Sequence, residues 1–141
     1  MLNREIKRSV SLIKSSKHTT VFTGAGISVE SGIPPFRGEN GLWSKYNPQI
    51  LELSYFYKNS IKSWKLIKEI FYDFIGKAKP NQAHYLLAEM EKKGLIDCII
   101  TQNIDNLHYE AGSKNIYEFH GNSRDLVCTN CRKKYNPSNK I

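Results

Sequence analysis

Thr23-Gly24-Ala25-Gly26-Ile27-Ser28 sets two glycines directly after a β-rich run. Backbone without Cβ atoms can approach a pyrophosphate. A helix beginning there would add free N–H groups and the positive end of its dipole. A complete dinucleotide fingerprint carries a third glycine where this chain has Val29, so a simple tight turn stays open as the alternative. In Gly32-Ile33-Pro34-Pro35-Phe36-Arg37-Gly38, Phe36 can stack or shield and Arg37 can pair with a phosphate in bidentate fashion. The alternative is a loop pinned by a buried Phe beside a surface Arg. Gln102-Asn103-Ile104-Asp105 brings two amides and a carboxylate, which suit ribose hydroxyls and a ligand amide, or cap the next helix. His120-Gly121 offers an imidazole, the natural general base near neutral pH. Cys128-Thr129-Asn130-Cys131 has the spacing of half a tetrahedral zinc site, and also of a redox pair.

Elements to position these residues are legible around them. Asn3 can cap a helix with Ile6, Val10 and Ile13 on one side. Residues 19–23 read as a strand, and the glycines and prolines from Gly32 to Pro48 as a long loop. A helix from Ser60 presents Trp64, Ile67, Ile70, Phe71, Phe74 and Ile75, with Gly76 to end it. Pro80-Asn81 opens another, with Ala83, Leu86, Leu87 and Met90 inward and Gly94 as its stop. Leu95 to Ile100 is nearly all apolar, as strands of a parallel sheet covered on both faces are, and Ile116 to Phe119 is a further strand. This order predicts an α/β doubly wound parallel sheet. The glycine turn, the Gln102 segment and His120 then all fall at strand carboxyl ends, where such sheets bind ligands. His18, His84 and His108 read as surface or helix-packing residues, Cys98 as a small buried hydrophobe, and Arg132 to Pro137 as a polar tail.

Composition narrows the class. The 141 residues are 40% hydrophobic and 24% charged, which is ordinary globular usage. No apolar run approaches the roughly 18 residues of a membrane span. Net charge is +8, carried mostly on the first seventy residues, and lysine far outnumbers arginine. Such a surface reads as a solvated face able to attract anionic ligands, not as a nucleic-acid interface, which would favour arginine with interleaved aromatics. Three cysteines are too few for a disulfide scaffold and point to a reducing compartment, with cytoplasm as the default.

Taken together, GAGISVESGIPPFRG at 24–38, TQNID at 101–105, HG at 120–121 and the cysteine pair at 128 and 131 resemble the sirtuins, the NAD-dependent protein deacylases. The resemblance implies the first part of a Rossmann-like doubly wound sheet over residues 1–124, with a small helical module inserted at about 45–79. The start of a zinc-ribbon module would cover 125–141. It implies NAD as co-substrate, lined by Gly24, Ala25, Gly26, Ser28 and Val29, with Phe36 and Arg37 in a mobile cofactor-binding loop. Gln102 and Asn103 would face the nicotinamide ribose, and Ile104 and Asp105 would hold the carboxamide. His120 would be the catalytic base, with Asn103 beside it. Cys128 and Cys131 would be two of four ligands to a structural Zn2+, and the partner would be an acetylated-lysine protein or peptide. The chain departs from the family in having Pro35 where Asp is frequent. It also lacks a second cysteine pair and the later half of the sheet, so it looks like a front half that has little activity alone. An NAD-binding remnant and an NAD hydrolase are the alternatives. No arginine stands between Arg37 and Arg124, so the Tyr-x-x-Arg pair of family members that take acidic acyl groups is absent, and neutral acyl groups are expected.

Overall fold

The computed structural model describes residues 3–137. Helix α1 (Arg4–Ser15) starts where Asn3 accepts the Glu5 N–H, as its cap signal predicts. None of its residues is buried, and Ile6, Val10 and Leu12 face outward. Strand β1 (Thr20–Thr23) runs into short 3-10 turns over Ala25–Ser31, which Gly32 stops with a left-handed φ of 86°. A long loop leads to α2 (Leu53–Lys58) and α3 (Ser60–Ile67).

Helix α3 continues as π-helical turns over Lys68–Phe74 and a last 3-10 turn at Ile75–Lys77. The wider turns rotate later residues relative to earlier ones. Ile70, Phe71 and Ile75 therefore reach the core while Phe74 and Trp64 stay partly exposed, a split that a uniform helical period does not foresee.

Helix α4 (Gln82–Lys92) begins in a capping box. Asn81 accepts the Ala83 N–H, and the side chain of His84 returns to the Asn81 N–H. It ends at Gly94, φ 68°, with Leu95 N–H on the Met90 carbonyl and Gly94 N–H on that of Glu91. This Schellman closure consumes Leu95, so β2 (Cys98–Thr101) starts three residues later than the apolar run suggested. Leu86 is exposed rather than inward, and the buried position of the helix is His84.

Short α5 (Leu107–Glu110) and β3 (Ile116–Glu118) follow. Strands β1, β2 and β3 form a parallel sheet in the order β1-β2-β3. One row across it, with Ile99 and the Thr23–Thr101 pair, is buried. The other row pairs Phe22 with Ile100 and Ile100 with Tyr117, and both aromatic rings lie exposed. Among the described residues only one face is thus covered, against the expectation of two. The main apolar core joins Ile33 and Leu42 of the loop with Ile50, Ile70, Phe71, Ile75 and Leu107. Finally, β4 (Leu126–Val127) and β5 (Lys134–Tyr135) form an antiparallel hairpin. The segment read as a polar tail is its returning strand, closed by Lys134 on Asp125 at 2.9 Å.

Candidate active site

At the carboxyl end of the sheet the buried groups are polar. Thr23 and Thr101 are register partners, and the Thr23 hydroxyl donates to Thr101 Oγ1 at 2.9 Å. Thr101 Oγ1 also accepts the Asn103 N–H at 3.1 Å. Asn103 Nδ2 donates to the Gly24 carbonyl at 3.0 Å and to Ser28 Oγ at 3.2 Å. Ser28, fully buried, donates to Asp105 Oδ2 at 2.7 Å, and Asp105 Oδ1 accepts the Leu107 N–H at 3.0 Å. The Thr23, Ser28 and Asn103 donors of this cluster each point at an acceptor, which offsets the cost of burying them. Asp105 satisfies the first N–H of α5 through Oδ1 while Oδ2 receives Ser28, so the helix-end reading of that carboxylate holds.

Beneath the cluster lie two buried histidines. His108 Nε2 stands 2.9 Å from Thr23 Oγ1, and its ring centre is 4.9 Å from that of His84. With the Thr23 proton committed to Thr101, His108 is the donor to Thr23. Burial, helped by the neighbouring His84, pushes His108 down to about 4, and Asp105 opposes this. Burial likewise lowers His84. Both rings are therefore neutral at pH 7. Asn81, capping α4, donates from Nδ2 to the Ile27 carbonyl at 2.7 Å and so ties the glycine segment to that helix.

The glycine segment faces away from its own protein. A Cβ built on Gly24 or Gly26 meets nothing within 4 Å, and Gly24 has an extended φ of −137° that any residue adopts. Neither internal packing nor backbone strain demands glycine at Gly24. Gly41 is the opposite case: its Cβ would fall 2.7–2.9 Å from the backbone of Phe36 and Arg37. That approach lets Leu42 N–H reach the Pro35 carbonyl and Trp43 N–H the Phe36 carbonyl. Phe36 packs on Trp43 with ring centres 5.3 Å apart, while Arg37 is exposed at the loop tip.

His120 occupies a turn just past β3. Gly121 has φ 79° and donates to the Glu118 carbonyl at 3.0 Å. The His120 ring is exposed and lies edge-on to Phe119 at 5.3 Å. The Phe119 N–H donates to the Thr101 carbonyl, which keeps the turn beside the Gln102 segment. Farther on, the backbone N–H groups of Cys131 and Asn130 point at the Cys128 sulfur and hold its thiol below the usual range.

The Sir2 family model matches residues 24–141. The chain belongs to the Sir2 family. It is 48% identical over 138 residues to the NAD-dependent protein deacetylase of Sulfolobus acidocaldarius, covering 95% of this chain and 53% of that protein. It is 46% identical over 131 residues to that of Thermotoga maritima, covering 93% and 53%. A solved Sir2–p53 peptide–NAD+ structure superposes with a TM-score of 0.85 at 42% identity, over 95% of this chain and 53% of the other. The chain thus spans about half the length of the curated relatives it matches, and the sirtuin resemblance and the α/β fold hold.

In this Sir2 chain Gly24, Ser28, Asn103 and Asp105 share one bonded cluster. Ile104 is half-buried against the core. Ala25 is half-buried, whereas Gly26, Val29, Gln102, Arg37 and His120 are exposed. His120 makes no hydrogen bond among the described residues. Cys128 and Cys131 stand in the separate hairpin, and no group of three or more potential metal ligands occurs among the described residues. Cys98 is half-buried rather than fully buried, with its sulfur 3.6 Å from Thr20 Oγ1. The sequence reading gave no part to Thr23, Thr101, Asn81, His84 or His108. Only the capping position of Asn81 and the strand-end position of the threonines hinted at one.

Proposed function

We propose that the protein containing this chain is an NAD-dependent protein lysine deacetylase, and that these residues form its nicotinamide-side half. What carries the reading is the open space over Gly24 and Gly26 beside a hydrogen-bonded Ser28–Asn103–Asp105 cluster. Glycines that serve no internal purpose leave room for a ligand's phosphates or ribose, and the cluster beside them is rigid and polar.

NAD supplies an anomeric carbon from which nicotinamide departs as a neutral base. The chain's own residues supply binding and proton handling. The backbone at Gly24 to Gly26 accommodates phosphate, and Arg37 at the loop tip is a bidentate anion partner. Asp105, held by Ser28 and Leu107, is an acceptor that suits a carboxamide NH2. Asn103 is committed to Gly24 and Ser28, so it positions rather than donates from Nδ2. The acetyl-lysine oxygen bonds to that anomeric carbon as nicotinamide leaves, and His120, exposed past β3, is the base that takes the proton of the ribose hydroxyl that then attacks the resulting adduct.

The substrate is an acetylated-lysine protein or peptide, and neutral acyl groups are preferred, because no arginine lies between Arg37 and Arg124. Cys128 and Cys131 supply two thiolates to a structural zinc. The N–H groups aimed at Cys128 support that role, and a tetrahedral site takes two more donors from outside the described residues. The three free thiols fit the cytoplasm. Among the described residues no helix is long and apolar enough to cross a membrane.

The test is nicotinamide release from NAD with and without an acetyl-lysine peptide. Peptide-dependent release that is lost in His120→Ala supports the reading. Equal release without peptide overturns it in favour of NAD hydrolysis. The 141-residue chain by itself is expected to show little turnover.

A further inference from the structure

The Asn103–Asp105 segment and the His120 turn leave different strands, yet one side chain is bonded to a residue flanking each. Arg124 Nη1 and Nη2 donate to Glu118 Oε1 and Oε2 at 2.6 and 2.7 Å, directly before the turn. Asn122, directly after it, donates to the same carboxylate at 2.8 Å. Arg124 Nη1 also donates to Asn106 Oδ1 at 2.9 Å, and Asn106 holds φ 68° next to Asp105. Asn106 in turn donates to Ser123 Oγ at 2.7 Å, and Ser123 donates to the Ile104 carbonyl from its hydroxyl at 2.8 Å and its N–H at 3.2 Å. The Tyr109 ring lies 4.6 Å beneath the guanidinium. The Glu118 and Arg124 side chains are only 17% and 31% exposed, so this pair is shielded in a way that surface pairs are not.

We propose that Arg124 is a positioning residue that sets the distance between His120 and the Asn103–Asp105 segment. Only a planar, multidentate cation can grip both carboxylate oxygens of Glu118 and still reach Asn106; a lysine ammonium cannot span the three acceptors. The joint closes a short loop around His120, from Glu118 to Arg124, and bolts that loop to Ile104 and Asn106. The inference rests on the reading that both segments face the reacting end of NAD.

The experiment is amide hydrogen exchange on the protein containing this chain, for wild type, Arg124→Gln, Arg124→Lys and Glu118→Gln. Gly121 and Ser123 report the turn, and Ile99, bonded to the Asn115 carbonyl within the sheet, reports the fold. In Arg124→Gln and Glu118→Gln, exchange at Gly121 and Ser123 rises roughly 10-fold while Ile99 stays unchanged, and Arg124→Lys falls between. Unchanged exchange at Gly121 and Ser123, or an equal rise at Ile99, overturns the proposal. Deacetylation in the same variants separates the two levels of inference. A roughly 10–100-fold loss in kcat with peptide KM retained supports positioning. Full kcat in Arg124→Gln overturns it. An inactive wild type sinks the deacetylase reading, while the exchange result still decides the joint.

Discussion

The Ser28 hydroxyl donates to the Asp105 carboxylate across 2.7 Å, linking the first glycine segment to the end of β2 over 77 residues of chain. Ser28 is also the acceptor for Asn103 Nδ2, so one hydroxyl fills two needs. Ser28→Ala leaves Asp105 Oδ2 and one Asn103 proton without a partner in a buried place. The expected cost is about 1–3 kcal/mol, read as a lower urea midpoint at unchanged slope. An unshifted midpoint would show that the cluster is held from elsewhere.

His108 makes stability depend on acid. Its folded pKa, about 4, lies below the unfolded value of 6.5, so the unfolded chain takes up the proton first as pH falls. Stability from this group is complete above about 6.5, is lost progressively below that, and is gone below about 4. His84 shifts in the same direction. Thermal melts from pH 7 to 4 should therefore show a decline that is shallower in His108→Asn. Equal slopes would show that other groups govern acid unfolding.

Two glycines should answer the same substitution differently. Gly41→Ala drives a methyl into the Phe36 and Arg37 backbone and should cost about 1–3 kcal/mol. Gly24→Ala meets open space on an extended backbone, so its midpoint should stay within about 0.5 kcal/mol of wild type. NAD titration of the protein containing the chain should then show weakened binding for Gly24→Ala. A destabilised Gly24→Ala would mean that the open side of the segment is packed in solution.

His120→Ala should leave the fold intact, because the ring is exposed and donates or accepts no hydrogen bond among the described residues. Its melting temperature is expected at the wild-type value while deacetylation disappears. Retained turnover would move the base elsewhere.

Much of this was legible because the signals are local. Asn81 and Gly94 bound α4 through contacts within a few residues, and the glycine, amide and histidine motifs fall at the ends of β1, β2 and β3 as their spacing implied. Burial of polar side chains was not legible, because it depends on distant partners. His108 is buried by Thr23, 85 positions away, and His84 by the ring of His108, and no periodicity encodes that. The π-helical turns after Ile67 escaped for a different reason. They shift the phase of a pattern that at its start fits an ordinary helix. The returning strand Lys134–Tyr135 has too few apolar residues to announce itself, and its pairing with β4 is what defines it.

The loop from Ile33 to Trp43 is anchored far more than its prolines and glycines suggest. Ile33 and Leu42 lie in the core, and the two backbone bonds made possible by Gly41 fasten Pro35 and Phe36 as well. Only Arg37 to Asn40 remain exposed throughout. Ordering a residue on binding costs about 1–2 kcal/mol of conformational entropy. An anion that meets Arg37 need freeze a tip of only a few residues. Most of that entropic cost has been met in folding, so a single guanidinium contact there can be retained as affinity.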